Sequence, residues 1–248
     1  MPRRWLVRAA VAGFVAVLIY PLTGLLAPIG PWQWSTLDPV RVSLGLTGIA
    51  MLVVLLAGTP VALHIAASST RERLLWQALL LISILLPPLA LGILLSIAFG
   101  PNTPIGHWLI NAGVHTTNSR FAFVGTQVYV SIGYYVLGAV AAFEAVPPML
   151  KKHAALLGQP PIAVFWRITF PLARLGLAVA LSVAWVRALG EFGAVMVTSY
   201  YPAGMPVQIW VNLQSFGLPS VMPLLVIFLV TALPLPWLVH LLAQRRHA

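Results

Sequence analysis

L-G-L-A-V-A-L-S-V-A-W-V-R-A-L-G-E-F-G-A-V-M-V-T, Leu175–Thr198, decides the fold. All but two of these residues are uncharged, and as a helix the run is about 36 Å long. That exceeds the roughly 30 Å hydrocarbon core of a bilayer. Gly176, Ala180, Ala184 and Ala188 recur every four residues. This spacing makes a smooth face on which a second backbone can approach closely. The two charges, Arg187 and Glu191, stand four apart and would share a helix face. A charge near mid-membrane costs about 2.5–3.5 kcal/mol on insertion scales, so such residues face a bundle interior or a watery cavity. Arg before Glu is the weaker order for such a pair, which leaves Glu191 to find a partner on another helix or a loop. Three readings stand open: a salt bridge that fixes packing, a gate or pathway element, and a substrate contact.

Working outward, five more stretches have the same character: Trp5–Ala27, Val42–Ala67, Trp76–Phe99, Phe121–Val146 and Val221–Leu242. Each reaches the ~20 residues a spanning helix needs. The first follows Arg3, Arg4 and Arg8 as a signal peptide would, but its apolar run is too long and no A-x-A site follows it. The composition agrees. Of 248 residues, 60% are hydrophobic and only 7% charged, and the mean hydropathy is +0.96. A soluble domain carries about 25% charged residues. The expected class is an all-α membrane protein, a single six-helix transmembrane domain over residues 1–248, in contact with lipid.

The net charge of +10 is a topology signal. Arg3, Arg4, Arg8, Arg71, Arg73, Lys151, Lys152, Arg167, Arg174, Arg245 and Arg246 fall on one side of the six-span scheme, Arg41 and Arg120 on the other. Cytoplasmic loops carry the Lys/Arg excess, so both termini are expected in the cytoplasm and no nucleic-acid partner is expected. The outer segments Asn102–Arg120 and Ser199–Ser220 are long and nearly uncharged. His107–Val114 and Val207–Phe216 within them suit short interfacial or re-entrant helices. Pro87-Pro88 interrupts the third stretch and is expected to kink it, either as ordinary packing or as a bend at a pore.

Several chemistries are excluded. There is no cysteine. Neither lysine follows glycine or precedes Ser/Thr, so no phosphate-binding P-loop exists. G-x-S-x-G, H-x-x-x-H and H-E-x-x-H are absent, and Asp38, Glu72, Glu144 and Glu191 are far apart in sequence. The chain is expected to be neither an enzyme nor a metal protein, and any ATP-driven step needs a separate motor.

The inner segment 147–174 contains K-K-H-A-A-L-L-G-Q-P-P-I-A-V-F-W-R-I-T-F-P, Lys151–Pro171. Gly158 should end a short helix in the left-handed conformation, and Pro160 and Pro161 stop it from continuing. Ile162, Ala163, Phe165 and Trp166 then offer an apolar surface, to a partner's cleft or to the underside of the bundle. The spacing from Gly158 through Ile168 to Pro171 resembles the EAA loop of ABC importer membrane subunits, E-A-A-x3-G-x9-I-x-L-P. Ala154 matches that pattern, while Lys152 and His153 replace its first Glu and Ala. Pro60–Ile65, Leu86–Gly100 and Arg187–Gly193 resemble the sulfate/molybdate/tungstate group of these permeases. The resemblance covers about residues 42–240.

It implies a type I importer permease in the inner membrane, carrying molybdate, tungstate or sulfate. Ferric iron, phosphate or thiamine carriage and a self-contained secondary transporter are the alternatives. It also implies ATPase partners that hold ATP and Mg, a substrate-binding protein outside the cytoplasm, and a second permease, identical or related. In that frame Lys151, Lys152, His153, Ala154, Gly158, Ile162, Phe165, Ile168 and Pro171 form the ATPase-coupling loop. Arg187, Glu191, Pro87 and Pro88 line the path or its gate.

Overall fold

The computed structural model describes residues 3–28, 30 and 36–232. Among them the regular structure is helical. α1 (Arg3–Ile19) runs into a tight 3-10 turn at Tyr20–Leu26, and α2 (Leu37–Ala67) follows. Then come α3 (Thr70–Leu85), α4 (Pro88–Ala98), α5 (Pro104–Asn111) and α6 (Arg120–Glu144). α7 (Pro148–Leu156) and α8 (Pro161–Val164) lead through a π-turn, Phe165–Thr169, into α9 (Phe170–Leu189). α10 (Gly193–Thr198), α11 (Met205–Phe216) and α12 (Leu218–Ala232) complete the described chain.

α6 is the axis of the bundle, with α2 on one side and α9 on the other. It is held at its start by Ser119, whose Oγ accepts the Ala122 N–H at 3.1 Å. The small-residue face of α9 does what its spacing suggests. Gly176 sits against Ala142 and Ala180 against Gly138. Ala184 and Ala188 are fully enclosed. Without a water-driven force between helices in lipid, this close fit supplies dispersion contact instead. A side of α2 contributes Ala50, Met51, Val54, Ala62 and Ile65 to the same core. Tyr135 of α6 reaches Thr59 of α2 through a 2.7 Å hydroxyl pair. α1 contributes no buried residue within Val7–Leu26.

The stretches read from hydropathy are divided differently in the structure. Val7–Leu26, Leu37–Ala67, Arg120–Glu144 and Pro161–Leu189 are each long and apolar enough to cross a membrane. The third stretch is two helices, α3 and α4, that meet at 105°. Pro87 and Pro88 lack N–H groups, and the ring of each clashes with the carbonyl one turn back, so α3 cannot continue through them. The fifth stretch is also two helices, because α9 stops at Leu189 and α10 starts at Gly193. Its spanning helix begins well before Leu175, at Pro161, so the second half of segment 147–174 is part of the rod rather than a loop. Of the sixth stretch, α12 covers the first part, and 233–242 lies outside the described residues. The two outer segments hold α5 and α11, at the places where short helices were expected.

The bundle has two chemically different ends. At one, Arg73 pairs with Glu144 at 2.7 Å and His64 Nε2 lies 3.2 Å from Glu72; the basic segment beginning at Lys151 follows directly. At the other, the Asn118 N–H bonds the Thr198 carbonyl and Ser199 Oγ donates to the Ser119 carbonyl.

Candidate functional site

Two sets of residues were singled out by sequence, and the structure places them at opposite ends of one helix. The first is the basic end. α7 closes with a full double-bond cap: Gly158 N–H donates to the Ala155 carbonyl at 3.0 Å and Gln159 N–H to the Ala154 carbonyl at 3.1 Å. This geometry requires a left-handed residue, and Gly158 has φ +74. Pro161 then occupies the first position of α8, where its missing N–H costs nothing. Lys152, His153 and Gly158 are exposed, Lys151 is half-buried and Ala154 is buried. The apolar residues divide. Ile162 and Trp166 are 64% and 58% exposed, whereas Phe165 packs against the bundle core. Leu156 and Leu157, just before the turn, are 84% and 80% exposed. Ile168 and Pro171 are half-buried in the first part of the long helix. Pro171 has no N–H for the Arg167 carbonyl, and the π-turn beside it shifts the bonding so that Phe170 N–H reaches Phe165. A cavity of ≈ 350 Å³ lies between this element and the bundle, walled by Leu63, Ala67, Phe143, Lys151, Phe165 and Thr169.

The second set surrounds the two helix breaks. Arg187 lies in the last turn of α9 and Glu191 in the non-helical link to α10. They pair, Arg187 Nη1 donating to Glu191 Oε2. The helix-order penalty expected for this pair does not apply, because no helix runs through both residues. Glu191 is buried, and its other oxygen accepts the Ala194 N–H at 2.7 Å, capping α10. The partner it was expected to seek elsewhere is this backbone N–H together with Arg187.

Pro87 and Pro88 belong to the same neighbourhood. α4 packs along α10 so closely that a methyl group built on Gly92 would lie 2.8 Å from the Ala194 Cα and carbonyl oxygen. One built on Gly193 would lie 3.0 Å from the Pro88 side chain. The residues named for a path or gate are thus brought together from sequence-distant halves, while the coupling residues Lys151–Pro171 lie 16 to 36 positions before Arg187.

Sequence reading missed Gln127, Gly92 and Ala194. Gln127 is buried on α6 and donates to the Ala188 carbonyl at 3.0 Å, which also accepts the Glu191 N–H where α9 ends. A lone amide inside an apolar stretch was the available signal.

These features define a class: a multi-pass inner-membrane transport component. The chain belongs to the family described as binding-protein-dependent transport system inner membrane component, whose signature matches residues 55–248. Its relatives include a probable molybdenum ABC transporter permease protein of Haloferax volcanii, 34% identical over 194 residues, covering 78% of this chain and 71% of that one. The molybdenum transport system permease protein ModB of Mycobacterium tuberculosis is 31% identical over 220 residues, covering 84% and 83%. The molybdate/tungstate transport system permease protein WtpB of Pyrococcus furiosus is 27% identical over 207 residues, covering 82% and 78%. Among solved structures, a bacterial alginate ABC transporter in complex with alginate pentasaccharide-bound periplasmic protein matches with a TM-score of 0.76. At 18% identity over 98% of this chain and 96% of that one, the likeness establishes the fold.

Proposed function

We propose that this chain is the permease subunit of an ABC importer for a small tetrahedral oxyanion, molybdate or tungstate in the first place and sulfate as a chemical relative. The names of the similar permeases support the substrate class. In this reading six spans cross the membrane. Both termini lie in the cytoplasm, as the cation asymmetry requires. The chain performs no chemistry of its own. ATP and Mg belong to separate ATPase chains, a second permease completes the path, and an external binding protein delivers the oxyanion.

The observation that carries the coupling role is the exposure of Leu156, Leu157, Ile162 and Trp166 around the capped turn at Gly158. An apolar ridge at the basic, water-facing end of the bundle is unfavourable unless another protein covers it. Closure of the ATPases would push on this ridge, and α8–α9 would carry the displacement to the two breaks.

The test uses the permease, its ATPase and its binding protein reconstituted in vesicles. Gly158→Val forces a β-branched residue into a left-handed backbone. The variant should insert normally yet lose ATPase binding or molybdate-stimulated ATP hydrolysis. Parental coupling in Gly158→Val removes the turn from that role, and a reporter at Asn118 that reads cytoplasmic overturns the orientation.

A further inference from the structure

Arg187 carries five N–H donors and no acceptor. Among the described residues one donor is engaged, Nη1 on Glu191. The two partners differ in access: the Arg187 side chain is 25% exposed and the Glu191 side chain 1%. Glu191 is closed on both oxygens, one held by Arg187 and one by the Ala194 N–H. What remains partly accessible in the pair is therefore the arginine side chain, not the carboxylate.

Its depth can be read from α6. The Gln127 side chain bonds the carbonyl of Ala188, next to Arg187. Gln127 lies eight residues beyond the Ser119 cap, about 12 Å down the helix axis. A partly exposed cation that far along an apolar spanning helix is costly against lipid, and such residues usually face a bundle interior or a watery cavity. The planar fork of arginine matches two oxygens of one anion, which a lysine ammonium does not. Paired one-to-one with Glu191, a single guanidinium holds an anion weakly. A path needs that property, since binding must be favourable enough for entry and weak enough for exit.

We propose that Arg187 is a contact for a tetrahedral oxyanion on the translocation path, and that Glu191 is its positioning residue, fixing the guanidinium and moderating its charge. This deepens the permease reading above and rests on it.

The experiment uses the whole complex and inorganic molybdate. Phenylglyoxal should modify Arg187 in the parent complex, located by peptide mass, and molybdate should slow that modification while chloride at equal ionic strength should not. In vesicles, Arg187→Lys should deliver at least ~10-fold less molybdate per ATP hydrolysed than the parent, because its ammonium cannot present the planar two-donor fork. Glu191→Gln keeps an acceptor for the Ala194 N–H, and in it protection of Arg187 should need several-fold less molybdate; a purely structural Glu191 would leave that concentration unchanged. The assignment falls if molybdate gives Arg187 no protection, or if Arg187→Lys matches the parent in molybdate per ATP. Where Arg187→Lys does not assemble, protection in the parent decides. A parent complex that imports another solute and no oxyanion removes the permease reading's substrate and this contact together. A parent that imports molybdate while Arg187→Lys does so equally removes the contact alone.

Discussion

The helix breaks at Leu86-Pro87 and at Gly190–Phe192 lie side by side and are made differently. The first is covalent in origin. Two prolines remove two N–H groups, α3 ends with the Leu86 N–H on the Ile82 carbonyl, and α4 starts afresh at 105°. Among the described residues no side-chain hydrogen bond spans it. The second contains no proline. α9 closes on itself through Gly190 and Glu191 N–H bonds to Val186 and Ala188. Side chains then complete it: Gln127 on the Ala188 carbonyl, Glu191 on the Ala194 N–H, and Arg187 on Glu191. One break is written into the backbone by its prolines, whereas the other is completed by side-chain bonds and a charge pair.

The largest expected effect is at the second break. Arg187→Ala leaves Glu191 buried without a counter-charge, a loss of about 3–5 kcal/mol. Glu191→Ala should cost less, because the quarter-exposed guanidinium can turn to water, and the double variant should cost less than Arg187→Ala. Thermal midpoints of the purified protein in detergent give the order, and three equal values would dissolve the electrostatic account.

A smaller effect is expected where the breaks touch. Gly92→Val drives a side chain into the Ala194 backbone, which cannot swing aside, and overpacking of this kind costs about 1–3 kcal/mol. Gly193→Ala should be milder, since it meets the Pro88 side chain first. The same melting experiment compares them; a Gly92→Val protein as stable as the parent would mean that α4 and α10 are not in this contact.

The smallest effect is at the first break. Pro87→Ala restores one N–H but leaves Pro88 in place and α4 locked on α10, so stability should change by under about 1 kcal/mol. Spin labels at Leu79 and Ile97, both exposed, should report an unchanged distance. A lengthened distance would show that Pro87 alone makes the bend.

How far each feature was legible follows from how local its causes are. The Gly158 turn depends on one glycine and two prolines within four residues, and its cap was readable before any contact was known. The face Gly176–Ala188 was readable for the same reason, although its partners Gly138 and Ala142 were not. Pro87-Pro88 announced a kink but not its angle, which the packing of Gly92 on Ala194 accompanies. The break at Gly190–Phe192 stayed hidden. Leu175–Thr198 is apolar apart from Arg187 and Glu191, and a glycine such as Gly190 inside a helical pattern is tolerated at a cost of about 1 kcal/mol. What completes the break is an amide from α6, sixty-one positions away in sequence.

The rod that joins the two sets of residues has a mechanical consequence. From Pro161 to Leu189 there are 29 residues without an interruption, roughly 43 Å of helix. Such a rod ties Ile162 to Arg187 along a single helical path. Its one irregular turn, Phe165–Thr169, holds one residue more per turn than its neighbours. An α-helix advances about 100° per residue, so the π-turn sets the angular phase of everything beyond it. The same single turn that accommodates Pro171 therefore fixes the compass bearing at which the guanidinium of Arg187 points.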